Sequence, residues 1–83
     1  MVKVLFFASY REALGLSEVA VTMPHNMSLA EFKQWLITEN GDSWQAVLNA
    51  ANSVQAVNQT VADDDQPVVD GDEVAFFPPV TGG

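Results

Sequence analysis

Val2 to Ala8 (VKVLFFA) is a run of valine, leucine and phenylalanine that ends where Ser9, Tyr10, Arg11, Glu12 and Gly15 open a polar stretch. An apolar run rich in β-formers and bounded in this way predicts a first strand. Glu18 to Met23 (EVAVTM) alternates in part and stops at Pro24, which predicts a second strand paired antiparallel with the first across a longer loop. Pro24 to Met27 reads as a connector. Ser28 followed by Glu31 has capping-box spacing, and Leu29, Phe32 and Leu36 share one helical face, so a helix runs from Ser28 to about Asn40 and ends at Gly41. Asp42 or Ser43 can cap a shorter second helix carrying Trp44, Val47, Leu48 and Ala51 at i, i+3, i+4 and i+7.

Beyond the helices, Val54 to Asn58 (VQAVN) and a brief piece near Val61 predict short strands joined through Gln59 and Thr60, and Asp63 to Gln66 is a loop. Asp70-Gly71-Asp72 signals a turn, and Glu73 to Phe77 (EVAFF) is a last strand stopped by Pro78 and Pro79, which cannot donate to a ladder. The order ββαβ(β)β predicts an α+β fold. A mixed sheet is packed on one face by one main helix, with a short second helix beside it. Residues 1–77 form the domain and residues 78–83 an extended tail.

Strand periodicity assigns the faces. Val2, Val4 and Phe6 oppose Lys3, Leu5 and Phe7, while Val74 and Phe76 oppose Glu73, Ala75 and Phe77. Lys3 and Glu73 mark the wetter face, yet that face also carries Leu5, Phe7 and Phe77. Two explanations stand at this point: curvature or the second helix covers these side chains, or they form a partner surface.

Composition narrows the function. The 83 residues suffice for one small domain, and 48% apolar against 17% charged residues argues for a packed core. With no cysteine and one histidine, neither a disulfide framework nor a zinc cluster is available, and the absence of cysteine fits a reducing, cytoplasmic compartment. Three basic against eleven acidic residues give a net charge of −8, which repels phosphate backbones and anionic lipid, so no nucleic-acid or membrane partner is expected. The opening residues are too short for a signal peptide. His25 has no second ligand or nucleophile beside it in the sequence, and Asp63-Asp64-Asp65 lacks the alternating spacing and glycine of a calcium loop, so no metal site is expected. No serine lies in a nucleophile-elbow context, and so small a domain has little material for a catalytic cleft.

The terminus is the unusual feature. Pro78, Pro79, Val80, Thr81, Gly82 and Gly83 leave the last strand and end in two glycines. Six residues reach about 20 Å, and prolines stiffen the base. Paired glycines leave the terminal carboxylate without neighbouring side chains, so another protein's backbone can close around it while ATP is attacked; that is the steric requirement of acyl adenylation. A frayed terminus is the alternative.

KVLFFA (Lys3 to Ala8), Arg11-Glu12, AVNQT (Ala56 to Thr60) and, above all, DGDEVAFFPPVTGG (Asp70 to Gly83) together resemble the ubiquitin-like β-grasp sulfur carriers, and among them the small subunits of molybdopterin synthase. Leu16 to Ser53 matches only in pattern, and Asp63 to Gln66 diverges. The resemblance implies that an E1-like enzyme adenylates the Gly83 carboxylate with ATP, and that a sulfur donor such as a cysteine desulfurase or rhodanese-like protein supplies a persulfide sulfur. A C-terminal thiocarboxylate results, with no permanently bound cofactor. It further implies that the tail inserts into the large synthase subunit, in a complex with two copies of each subunit, and donates sulfur to cyclic pyranopterin monophosphate to build the molybdopterin dithiolene. Catalytic side chains would belong to that larger subunit. Phe7, Val61 and Phe77 would bind it, although Val61 is smaller than the leucine expected there. A thiamine-type sulfur carrier, a ubiquitin-like protein modifier joined through Gly83 to lysine, and an acidic interaction module without activation are the competing readings.

Overall fold

The computed structural model describes residues 1–79. Its elements in chain order are β1 (Val2–Phe6), α1 (Ser9–Leu14), β2 (Glu18–Val21), β3 (Met27–Ser28), α2 (Leu29–Asn40), α3 (Asp42–Leu48), β4 (Val54–Val57), β5 (Thr60–Val61), β6 (Pro67–Val68) and β7 (Glu73–Phe77). Five strands make one mixed sheet in the order β2-β1-β7-β4-β5, and β3 pairs with β6 in a separate two-stranded ribbon. At the centre β1 and β7 run parallel, in a register that sets Lys3 beside Glu73 and Phe6 beside Phe76; the remaining pairs in the sheet are antiparallel.

The alternation along the two central strands decides which face is buried. Val2, Val4, Phe6, Val74 and Phe76 are fully buried against Leu29, Phe32 and Leu36 of α2. Trp44 of α3 meets Phe6 edge-on at 5.0 Å between ring centroids, and Phe6 stacks on Phe76 at 5.7 Å. Each aromatic pair adds about 0.5 to 1.5 kcal/mol to the burial itself.

Capping fixes α2. The Glu31 amide donates to Ser28 Oγ (3.2 Å), and the Ser28 amide donates to Glu31 Oε1 (2.9 Å). The Ser28 hydrogen bonds hold the Glu31 carboxyl below its ordinary pKa, the backbone one foremost. The loop before β6 closes the same helix end: the Leu29 amide donates to the Gln66 carbonyl (2.8 Å) and the Ala30 amide to the Asp64 carbonyl (3.0 Å). The Asp64 carboxylate pairs with Lys33 Nζ at 2.8 Å. Asp64, the middle residue of the three-aspartate run, thus lies against the positive end of α2, where its charge is favourable.

Several boundaries differ from expectation. The polar stretch after β1 is not a loop but α1, which buries Tyr10; the Ser53 hydroxyl donates to the Ala50 carbonyl (2.9 Å) and therefore accepts from the Tyr10 hydroxyl. Among the described residues there are accordingly two short helices beside the main one. The N-cap of α3 is Gly41, not Asp42 or Ser43, and the helix stops at Leu48, leaving Ala51 exposed. β3 takes Met27 from the expected connector, and β6 follows the expected Asp63–Gln66 loop in a stretch for which no element was expected. β1 ends at Phe6, and β2 at Val21, earlier than the apolar runs suggested.

Candidate functional site

Cross-strand register builds the sheet face away from the helices. Leu5 lies beside Ala75, Ala75 opposite Ala56, and Ala56 opposite Val61, so these four form one apolar row across β1, β7, β4 and β5. In the next row Phe77 is opposite Val54. The parallel register continues one residue past Phe6 and Phe76, bringing Phe7 to Phe77: their rings stack at 4.6 Å and within 7° of parallel. The Phe7 amide stays in the sheet by donating to the Phe76 carbonyl at 3.3 Å.

α3 packs on the other side of the sheet through Trp44 and Phe6. The suggestion that the second helix covers the apolar groups on the wetter face is thereby corrected, since Phe7 is 38% exposed and Val54 37%. Phe77 is half-buried. Phe7, Ala8, Val54, Phe77, Pro78 and Pro79 line an apolar groove of about 470 Å³ where the tail leaves the sheet.

Of the residues singled out in the sequence, Phe7, Phe77, Pro78 and Pro79 come together. Val61 shares the face, at 73% exposure, but stands two strands from Phe77, about 10 Å across the sheet. Val80, Thr81, Gly82 and Gly83 lie outside the described residues. Ala8 and Val54 belong to the groove and were not anticipated; Val54 could have been found from the alternation of Val54 and Ala56 in β4. Val61 also borders a hollow of mixed polar and apolar lining, with Val57, Asn58, Thr60, Gln66, Val69 and Asp72. There, Asn58 Nδ2 donates to Asp72 Oδ1 (2.9 Å) and the Glu73 amide donates to Asn58 Oδ1 (3.0 Å), a clasp that holds the β4–β5 turn against the start of β7. No group of three or more potential metal ligands forms among the described residues, and none of their helices is long and apolar enough to cross a membrane.

Fold and face define a class: a ubiquitin-like β-grasp domain with an apolar sheet face at the root of a diglycine tail. The ThiS family profile matches residues 4–83. The chain is 46% identical, over all of both chains, to the molybdopterin synthase sulfur carrier subunit of Escherichia coli (strain K12). A subunit in the complex of subunits 1 and 2 of the molybdopterin-converting factor from Helicobacter pylori 26695 superposes with a TM-score of 0.67 at 25% identity, covering 99% of this chain and 97% of that one. Small archaeal modifier protein 1 of Haloferax volcanii shares the fold at a TM-score of 0.76 and 20% identity, covering 95% of this chain and 97% of that one. The chain therefore belongs to the ThiS family, on the side of its molybdopterin synthase sulfur carriers.

Proposed function

We propose that this chain carries sulfur for molybdopterin synthesis as the small subunit of a two-component synthase. The observation that carries the reading is the placement of the stacked Phe7–Phe77 pair at the point where Pro78 begins the tail. A partner that grips this face receives the tail in a defined direction, which is what delivery of a terminal atom into a second protein requires. Full-length identity to sulfur carrier subunits supports the same reading.

In this mechanism the Gly83 carboxylate attacks the α-phosphate of ATP on an E1-like enzyme, giving an acyl adenylate and pyrophosphate. The outer sulfur of a donor persulfide displaces AMP to give an acyl disulfide. A second thiol, on the donor or the activating enzyme, then attacks the donor sulfur of that disulfide, so that a protein disulfide is left behind and the chain is released with a thiocarboxylate sulfur at its end. That sulfur is a far better nucleophile than a carboxylate oxygen, and the bare Gly82-Gly83 backbone lets it approach cyclic pyranopterin monophosphate inside the large subunit. A dithiolene holds two sulfurs and each tail carries one, so two charged carriers serve each product. Phe7 and Phe77 anchor the docked face, with Val61 at its far side, and Pro78 to Gly82 span the distance to the reaction.

Intact-mass measurement after incubation with the activating enzyme, ATP and a sulfur donor tests the proposal. A mass gain of one oxygen-for-sulfur exchange at the C-terminus is expected, and it should disappear when Gly83 is deleted. A ladder of heavier conjugates without that exchange would instead assign the chain to the protein modifiers.

A further inference from the structure

Ala8 has φ 53° and ψ −128°. This is the backbone of the first central position of a type II′ turn, a place dominated by glycine because a Cβ crowds the neighbouring peptide. The Tyr10 amide closes the turn on the Phe7 carbonyl at 3.1 Å, and the Glu12 amide reaches the Ala8 carbonyl at 3.3 Å as α1 begins. Both sides of the turn are fixed. Phe7 is held in the sheet by the Phe76 carbonyl, and Tyr10 is buried with its hydroxyl on Ser53. Residue 8 has no freedom to relax, and a side chain kept there costs stability that glycine would restore.

The methyl group has a use elsewhere. Ala8 lines the apolar groove beside Phe7, Phe77 and the prolines, on the side from which the tail departs. Its turn also leads the chain away from the sheet immediately after Phe7, leaving that ring flat on Phe77. We infer that Ala8 is a positioning residue for docking: its methyl closes the groove and its strained turn fixes the Phe7 ring, with stability of the free domain given up for affinity. The inference rests on the reading above, in which this face binds the large subunit.

Ala8→Gly separates this from a purely structural role, because the two properties should move in opposite directions. The thermal midpoint of the free protein should rise by about 2 to 8 °C as the strain is released. The dissociation constant for the large subunit of the same organism's synthase, measured by calorimetry, should weaken by about fivefold, as expected for loss of one buried methyl and of a fixed ring. The ring-proton chemical shifts of Phe77 should move as the Phe7 stack loosens. A lowered midpoint or an unchanged affinity overturns the inference. Phe77→Ala is measured beside it: if that variant also binds normally, the docking face itself is wrongly placed, whereas weakened binding by Phe77→Ala with normal binding by Ala8→Gly removes only the role of Ala8.

Discussion

Truncating four phenylalanines one at a time separates the two faces of the sheet. Phe6 and Phe76 are each 1% exposed, stack on one another and, through Phe6, meet Trp44. Replacing either by alanine should remove about 3 to 5 kcal/mol from folding. An 83-residue domain has only about 4 to 12 kcal/mol in all, so these variants should be largely unfolded or close to it. Phe7 and Phe77 are different, because the open side of their stack already faces water. For Phe7→Ala and Phe77→Ala the free domain should lose about 1 kcal/mol, chiefly the ring–ring contact. In the proposed docking the same rings become central aromatic anchors, and their loss should cost about 2 kcal/mol or more, roughly a thirtyfold change in Kd. Urea unfolding of the four isolated variants, followed by calorimetric titration of the folded ones with the large subunit, measures both quantities. If Phe7→Ala and Phe77→Ala unfold the domain as badly as Phe6→Ala and Phe76→Ala, the open face is part of the core and the partner surface lies elsewhere.

Other predictions concern the cap of α2 and the β4–β5 turn. Ser28→Ala should lower stability by about 1 kcal/mol in thermal or urea melts, through loss of the α2 cap. Because the folded pKa of Glu31 is depressed, its contribution is present above its unfolded pKa and is lost as pH falls through the carboxylate range toward the folded value; Glu31→Gln should remove that share of the acid dependence, seen as a flatter stability–pH curve. Asn58→Ala should cost about 2 kcal/mol, since two side-chain hydrogen bonds and the tolerance for φ 51° go together. Gln59→Gly should add about 0.5 to 1 kcal/mol, because the two-residue β4–β5 loop has φ 51° and 69°, the type I′ geometry whose second position favours glycine.

What could be read from the sequence was local. β1 and β7 announced their faces because a period of two is visible in five residues, and α2 announced its start because Ser28 and Glu31 satisfy each other within one turn. α1 gave no such signal. Six residues are too few for helical periodicity, and Tyr10 is held by Ser53, far along the chain. β3 and β6 are two residues each and exist because the loop before β6 caps α2. Alternation put Phe7 and Phe77 on one face, but their contact needed the parallel β1–β7 register, which pairs each residue of β1 with the one seventy positions later. Ala8 was hidden for a related reason: alanine ordinarily avoids its backbone conformation, so nothing in the residue type suggests the turn.

The open face is too small to bind alone. Five strands span about 19 Å at the usual interstrand spacing and five residues of a central strand about 16 Å, so the flat face offers on the order of 300 Å². A stable protein–protein interface buries about 800 Å² on each partner. In the proposed docking most of the remainder comes from the tail, whose six residues from Pro78 can reach about 20 Å. The tail should therefore contribute affinity as well as the reacting group. A chain ending at Phe77 should keep a normal melting curve, since among the described residues every buried core residue lies between Val2 and Phe76, yet bind the large subunit at least about a hundredfold more weakly, a loss typical of a substantial part of an interface. Deletion of Gly83 alone should leave most of that affinity while preventing thiocarboxylate formation. Binding by the shorter chain as tight as by the full one would mean that the tail acts only as a carrier and that the partner grips a larger area of the domain than this face.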